Sequence, residues 1–344
     1  MENFYLKTMN AQIYENTLFF VSAEMNLIFK YSLENDSISF IDPPKENLTG
    51  KSLYGNIEVI DSDVYLIPFC ANNLWKLCKN GKWEEVVFPD KSQKSQFLMG
   101  TIKYGNILYV LGYEKAKILK LDVNNNTIEN ITIGVEGDVD IEIGCFGYDY
   151  EIVNEKIYLP VMCSNSIVEI DCNSDDIRVL DVPSRCRGYA GITYDGNGFW
   201  LAPRKGKYFV YVDALFEEIK EFKLPKEYKE NEYYFGGALV NDNKICFTSF
   251  SGKNMEFYCD DPFDIKMYEP GIFYYKKLQN GGCIISENEG ETYYIDVKGI
   301  KRTLQLSVDN NMKFRYIKDN LYMNPIIRES EDMGIDSFIN MINM

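Results

Sequence analysis

The sequence predicts an all-β protein built from one repeated unit. Two observations lead to this prediction: a ladder of glycines at nearly constant spacing, and a regular succession of short apolar strands and turns behind each glycine. The glycines lie 44 to 47 residues apart and are Gly55, Gly100, Gly147, Gly191 and Gly236. A fixed period of this size is typical of architectures in which each unit buries its face against its neighbours.

The period extends beyond these five glycines. Counting back 45 residues from Gly55 reaches Asn10, and counting on from Gly236 reaches Gly271 and then Met312 after two compressed steps. We therefore expect units to begin near residues 10, 55, 100, 147, 191, 236 and 271, with a partial unit beginning near 312.

The unit that begins at Gly55 shows its four strands most clearly. Residues 55–60 form an alternating first strand and 64–69 a second, while 74–78 and 83–88 flank an Asn80-Gly81 turn. Asn-Gly between apolar runs is a strong hairpin signal because both residues tolerate positive φ. The other units repeat this order, and seven or eight four-stranded blades of this length predict a β-propeller.

Residues 106–130 are the segment most similar to a known repeat, with the strand 106–113 followed by 121–129. On these residues the chain resembles the kelch-like and quinoprotein-like β-propellers. It departs from the kelch pattern because the double glycine after the second strand is absent and most units lack the fourth-strand tryptophan. The resemblance spans nearly the whole chain, but it implies an architecture and carries no active site with it.

The two ends of the chain extend this prediction. Residues 313–327 look like the first two strands of an eighth unit, and residues 4–7 could supply its outer strand; seven blades with an appended hairpin is the alternative. We expect residues 1–328 to form a single propeller. Residues 329–344 predict a short amphipathic helix that either docks against the propeller or serves a partner, with apolar residues at helical spacing: Ile335, Phe338, Ile339 and Ile342.

Composition limits the possible functions. The formal charge of −16 argues against nucleic acids and anionic membranes as partners, because both require a basic footprint. The 344 residues include no histidine, which excludes imidazole zinc sites and Ser-His-Asp or Cys-His catalytic pairs. The sequence also lacks a Gly-rich phosphate loop, a nucleophile elbow and a zincin signature. We therefore expect neither a metal nor a cofactor.

A cytoplasmic location is expected. Residues 1–7 lack the basic and apolar regions of a secretory signal, and no apolar run is long enough to span a bilayer. The cysteines number nine, which is odd, and a reduced thiol inside an apolar strand behaves as a small hydrophobe. Four of them are predicted to lie in such strands: Cys70, Cys163, Cys246 and Cys283.

Three of the seven arginines are predicted to meet in the fifth unit. In an antiparallel four-stranded blade, the loop before the first strand and the second-to-third loop share one end. Arg185 and Arg187 lie in the first of these loops, and Arg204 lies with Lys205 in the second. Guanidinium groups suit carboxylates or phosphates, so the cluster predicts an anion site. Alternatively, the arginines pair with acidic residues before Gly147: Asp138, Asp140 and Glu142.

Aromatic residues accompany the arginines near the same end of the blades. If exposed, they would suit stacking against sugars or peptide side chains; alternatively, they pack between blades. The candidates are Phe146, Tyr148, Tyr189 and Phe235. The opposite end collects tight acidic turns and is expected to be a solvated surface.

These observations favour a non-catalytic binding module for a protein, peptide or glycan partner on the arginine-bearing face. A second hypothesis is an enzyme that works without histidine, a hydrolase or lyase acting on an anionic carbohydrate or peptide, because tyrosine or glutamate can transfer protons. A third is a scaffold whose C-terminal helix recruits the partner. The sequence alone does not identify the ligand or the oligomeric state.

Overall fold

The computed structural model describes residues 4–6, 8–22, 27–41, 44, 53–69, 71–88, 98–112, 116–135, 144–229, 235–250, 253–268, 272–278, 282–287, 291–296 and 298–308. Every element within these residues is a β-strand, and none of this part of the chain forms a helix able to cross a membrane. The predicted partial unit from residue 312 and the predicted helix at 329–344 lie outside the described residues.

The described residues form seven blades of a β-propeller, which confirms the predicted fold class. The described residues contain seven four-stranded sheets, each built from four consecutive antiparallel strands. We number the blades in chain order. Blade 1 is β2 (Thr8–Tyr14), β3 (Thr17–Ser22), β4 (Ile28–Ser32) and β5 (Ile38–Ile41). Blade 2 is β6 (Tyr54–Ile60), β7 (Asp63–Pro68), β8 (Leu74–Leu77) and β9 (Trp83–Val86). Blade 3 is β10 (Leu98–Tyr104), β11 (Ile107–Gly112), β12 (Lys117–Asp122) and β13 (Thr127–Thr132).

The later blades follow the same plan. Blade 4 is β14 (Glu151–Val153), β15 (Lys156–Pro160), β16 (Ser166–Asp171) and β17 (Ile177–Asp181). Blade 5 is β18 (Arg187–Tyr194), β19 (Gly198–Lys205), β20 (Tyr208–Asp213) and β21 (Ile219–Lys223). Blade 6 is β22 (Phe235–Asn241), β23 (Lys244–Ser249), β24 (Asn254–Tyr258) and β25 (Lys266–Tyr268). Blade 7 is β26 (Ile272–Lys277), β27 (Cys283–Glu287), β28 (Thr292–Ile295) and β29 (Lys301–Leu304).

The chain divides into two compact units. The first comprises residues 1–99, 290–292 and 303–344, and contains blades 1 and 2. There the N-terminal strand β1 (Phe4–Tyr5) pairs antiparallel with β30 (Ser307–Val308). The second comprises residues 100–289 and 293–302 and contains most of blades 3 to 7, including every candidate site residue.

Burial changes systematically across a blade. The first strand of blade 2 is buried at all seven positions, whereas the fourth strand of blade 3 is mostly exposed. Apolar side chains of adjacent blades form shared clusters; in one of them, Tyr158 and Ile167 of blade 4 pack with Ile192 and Phe199 of blade 5. The stability of each blade therefore depends on its neighbours, as expected for a repeat architecture.

Two glycines of the ladder, Gly147 and Gly191, lie where the backbone of the next blade approaches closely. A Cβ atom on Gly191 would lie 2.8 Å from the carbonyl carbon of Gly237 and 2.9 Å from the nitrogen of Ala238. Backbone atoms cannot yield at such distances, so only glycine fits where the first strands of blades 5 and 6 meet. In blades 2 and 6 the ladder glycine also coincides with a β-bulge, at Gly55 and Gly236.

Candidate functional site

The arginines of blade 5 lie at one end of the blade, but Arg187 is the first residue of β18, and Arg204 and Lys205 are the last two of β19, rather than loop residues as the sequence predicted. Arg187 and Lys205 face each other across the β18–β19 pair, so the loop before β18 and the loop after β19 are neighbours. Two exposed lysines that the sequence prediction missed join this end, Lys207 before β20 and Lys223 at the end of β21. We call the six residues Arg185, Arg187, Arg204, Lys205, Lys207 and Lys223 the basic patch.

Arg185 is held by a carboxylate that the sequence prediction did not name. Its Nε donates to Glu221 Oε2 at 2.6 Å, and its backbone nitrogen donates to Glu221 Oε1 at 2.5 Å. The guanidinium also lies 3.6 Å from the centre of the Tyr208 ring. The hydrogen bond to Glu221 raises the pKa of Arg185. The predicted partners before Gly147 lie outside the described residues.

Arg187 differs from its neighbours. Its side chain is exposed, and within the described part of the chain its guanidinium forms no hydrogen bond or ion pair. Arg204 is half-buried, and its Nη1 donates to the Met162 carbonyl oxygen at 2.7 Å. Lys205 is half-buried beside them. Arg187 is thus the guanidinium best placed to meet an anion from solution.

The segment from Ser184 into the start of β18, which carries Arg185 and Arg187, is fixed to blade 4 by Asn165. Asn165 Nδ2 donates to the carbonyl oxygens of Ser184 and Cys186, both at 3.0 Å. Its Oδ1 accepts from the Gly188 nitrogen at 2.7 Å. Gly188 has a φ of +76°, and a Cβ there would lie 2.1 Å from the Met162 carbonyl oxygen. The backbone on both sides of Arg187 is therefore held in place before any ligand arrives.

The aromatic candidates divide into one exposed and three buried residues. Tyr148 is 37% exposed and packs edge-on against Phe250. Phe146, Tyr189 and Phe235 are buried in the interblade clusters, so their rings pack in the core as the alternative interpretation had it. The Tyr189 hydroxyl also donates to the Val182 carbonyl oxygen at 2.8 Å. Of the four, only Tyr148 has a side chain that a ligand could reach in this conformation.

Two cysteines lie close together behind Arg204. Cys145 is buried and Cys163 is half-buried, and their sulfur atoms are 3.5 Å apart. The prediction that Cys163 lies inside a strand is wrong, because β15 ends at Pro160 and Cys163 falls in the loop before β16. The hydrogen bond from Cys145 lowers the pKa of Cys163 to about 7, and the charge of Arg204 contributes. The same hydrogen bond and burial raise the pKa of Cys145.

The opposite end of the second unit contains a groove that the sequence prediction did not anticipate. It encloses about 430 Å³ between blades 5 and 6. Its lining is Asp195, Asn197, Trp200, Tyr211, Lys220, Phe222, Asn243, Cys259, Asp260 and Pro262. The tight acidic turns are present at its rim, but the aromatic floor comes from neighbouring strands. Trp200 and Tyr211 are register partners, which only the pairing of β19 with β20 shows.

Within the described residues, no group of three or more histidine, cysteine, aspartate or glutamate side chains is arranged to hold a metal ion. The functional groups available at the basic patch are guanidinium and ammonium groups, one exposed tyrosine and the nearby thiol pair. This set can bind an anion through charge-assisted hydrogen bonds.

Comparisons with known proteins agree on the fold. No family model matches the sequence, and no curated protein matches it. A solved streptogramin B lyase superposes with a TM-score of 0.59 at 17% identity, over 89% of this chain and 95% of that one. A virginiamycin B lyase from Staphylococcus aureus superposes with a TM-score of 0.61 at 15% identity, over 87% of this chain and 96% of that one. The Pan2 WD40 domain of Neurospora crassa superposes with a TM-score of 0.55 at 9% identity, over 84% of this chain and 88% of that one. Likeness at these identities shows the propeller fold alone.

Proposed function

We propose that this propeller is a non-catalytic, cytoplasmic binding module that takes an anionic protein, peptide or glycan partner on the basic patch of blade 5. The observation that carries the proposal is Arg187, an exposed guanidinium without an ion pair in the described part of the chain. It stands on a backbone that Asn165 and Gly188 already fix. Because this backbone is already ordered, only the Arg187 side chain has to be ordered when a ligand binds, which lowers the entropic cost of binding.

The acidic composition of the chain does not oppose this proposal. The formal charge is −16 over the whole sequence, but that charge is spread over the chain, and Glu221 is engaged by Arg185 rather than by Arg187. At physiological ionic strength, charges more than about 8 Å away are largely screened. The exposed cationic side chains that an anion would meet at the patch are those of Arg185, Arg187, Lys207 and Lys223.

The similarity to lyase structures does not imply that this chain has lyase activity. One of the similar structures is described as a catalytically inactive virginiamycin B lyase with quinupristin, in which alanine replaces a histidine. The present sequence contains no histidine. A side chain of that type is therefore missing from the residues that could serve here, which favours binding over the same catalysis.

An enzyme that works without histidine is the second candidate, because two of the similar structures are lyases. In that case the patch would orient an anionic carbohydrate or peptide while carboxylates or tyrosines transfer protons. Turnover of an oligogalacturonate or an acidic peptide by the purified protein, lost on replacing a single carboxylate, would establish this candidate and overturn the non-catalytic one.

A charge-matched pair of variants tests the binding proposal. The probes are a fluorescent polyglutamate peptide and a fluorescent oligogalacturonate, followed by anisotropy at low and physiological salt. Arg187→Glu should weaken the binding of at least one probe by about tenfold or more, because one charge-assisted hydrogen bond is worth about 1.5–3 kcal/mol.

The control variant is Lys298→Glu. Lys298 is exposed in the turn after β28 of blade 7, so its replacement changes the net charge by the same amount away from the patch. It should leave affinity nearly unchanged. Equal losses in the two variants would show only non-specific attraction, and failure of the wild-type protein to bind either probe would also overturn the proposal.

A further inference from the structure

Cys145 and Cys163 lie on neighbouring backbone segments. Phe146 and Val161 form a β-bridge, and the Met162 nitrogen donates to the Cys145 carbonyl oxygen at 2.8 Å. These contacts place the two sulfur atoms 3.5 Å apart. A disulfide requires a separation of about 2.05 Å, so the sulfurs need to approach by only about 1.5 Å.

The two thiols differ in a way that suits a division of labour. Cys145 has 0% exposure, whereas Cys163 is half-buried in the loop before β16 and can meet a small reagent. Arg204 lies close enough to Cys163 for its charge to favour the thiolate. A partly exposed thiolate near a guanidinium, backed by a buried thiol, has the arrangement of an attacking and a resolving cysteine.

We propose that Cys145 and Cys163 form a dithiol site that exchanges with low-molecular-weight disulfides. In the first step the Cys163 thiolate attacks one sulfur of the reagent disulfide; the S–S bond of the reagent breaks and one reagent thiolate leaves. In the second step Cys145 gives up its proton, its sulfur attacks Cys163 in the mixed disulfide, and the second reagent thiolate leaves. Overall, two protein thiols become one disulfide and the reagent disulfide becomes two thiols.

Packing alone gives a different expectation. Cys145 belongs to an apolar cluster with Ile102, Leu159 and Val161, and Cys163 packs against it. Two cysteines that serve only as small hydrophobes would react no faster than other half-buried thiols of the protein. Cys172 supplies the comparison, because it is half-buried and burial raises its pKa to about 11.

The test uses the full chain, reduced and then exposed to oxidised glutathione at neutral pH. The products are quenched with acid and read by intact mass and peptide mapping. The wild-type protein should form the Cys145–Cys163 disulfide without retaining glutathione. Cys145→Ser should stop at a stable glutathione adduct on Cys163, and Cys163→Ser should lower the initial rate by about tenfold or more. Cys172→Ser should behave as wild type.

Several results would overturn the proposal: an unchanged initial rate in Cys163→Ser, glutathione retained by the wild-type protein at Cys163, or oxidation at Cys172 as fast as at Cys163. Thermal melts of all three variants show whether each is folded. If a serine variant does not fold, reaction of the wild-type protein with a maleimide reagent gives the same comparison, because Cys163 should be labelled well before Cys172.

Discussion

Replacing Gly188 by alanine tests the geometry on which the basic patch depends. Gly188 follows Arg187 and has a φ of +76°, which is strained for any residue with a Cβ. The new Cβ would also lie 2.1 Å from the Met162 carbonyl oxygen. Both the backbone conformation and the contact with blade 4 therefore oppose the substitution.

Two other glycines of the second unit separate these effects. Gly196 has a φ of +99° but no heavy atom within 4 Å of its Cβ position, so Gly196→Ala carries backbone strain alone, about 1–2 kcal/mol. Gly134 has neither a positive φ nor a close neighbour, so Gly134→Ala should change stability by less than about 0.5 kcal/mol. In Gly188→Ala the steric overlap adds about 1–3 kcal/mol, for a total of about 2–5 kcal/mol.

The assay is urea denaturation of the full chain, followed by tryptophan fluorescence and far-ultraviolet circular dichroism. The free energy of unfolding should fall in the order Gly134→Ala, Gly196→Ala, Gly188→Ala. Anisotropy with the anionic probes should show weaker binding for Gly188→Ala, because Arg187 is displaced with its backbone. If Gly188→Ala is no less stable than Gly196→Ala, the close contact with Met162 is wrong and the argument for a preorganised patch fails.

Three further variants follow from single contacts. Asn165→Ala removes three hydrogen bonds to the segment 184–188 and should lower stability by about 1–3 kcal/mol in the same urea assay. The Glu218 backbone nitrogen donates to the Asp213 carboxylate and lowers the pKa of Asp213 below 3.8. The stabilising effect of this carboxylate is therefore lost as the pH falls through the lowered pKa. The difference in the free energy of unfolding between wild type and Asp213→Asn should therefore disappear as the pH falls through that value. Burial raises the pKa of Asp149 well above 3.8, which costs stability as the pH rises. Asp149→Asn should thus be more stable than wild type at neutral pH, but not below pH 3.8.

The propeller could be predicted from sequence because its signals are local and repeated. Hairpin turns use residues that tolerate positive φ, such as Asp61 and Asn154, and each falls between two apolar runs. The glycine ladder adds a signal that is not local. Gly191 is required by the backbone of the next blade, and a Cβ at Gly147 would likewise lie 2.7 Å from the Ala190 carbonyl oxygen of the next blade. Few physical effects other than blade stacking would produce both patterns together.

The sequence predicts only those features of the site that follow from the strand order within one blade. The shared position of Arg187 and Lys205 follows from an antiparallel hairpin, so the sequence shows it. The partner of Arg185 does not follow, because Glu221 lies on β21, the fourth strand of the blade, and the choice between acids depends on side-chain reach. For Tyr189 and Phe235 the sequence left two interpretations open, exposure to a ligand or packing between blades, because the choice depends on how closely neighbouring blades pack.

The same limit explains why the thiol pair escaped prediction. Cys145 and Cys163 are separated by 18 residues and the first lies before β14, in a segment that reads as a loop. Their contact depends on the bridge between Phe146 and Val161, which extends the pairing of blade 4 past the ends of its regular strands. Irregular pairing of this kind leaves no periodic trace in a sequence. Reactive side chains at the irregular ends of blades therefore have to be found from the structure, whereas the blades themselves do not.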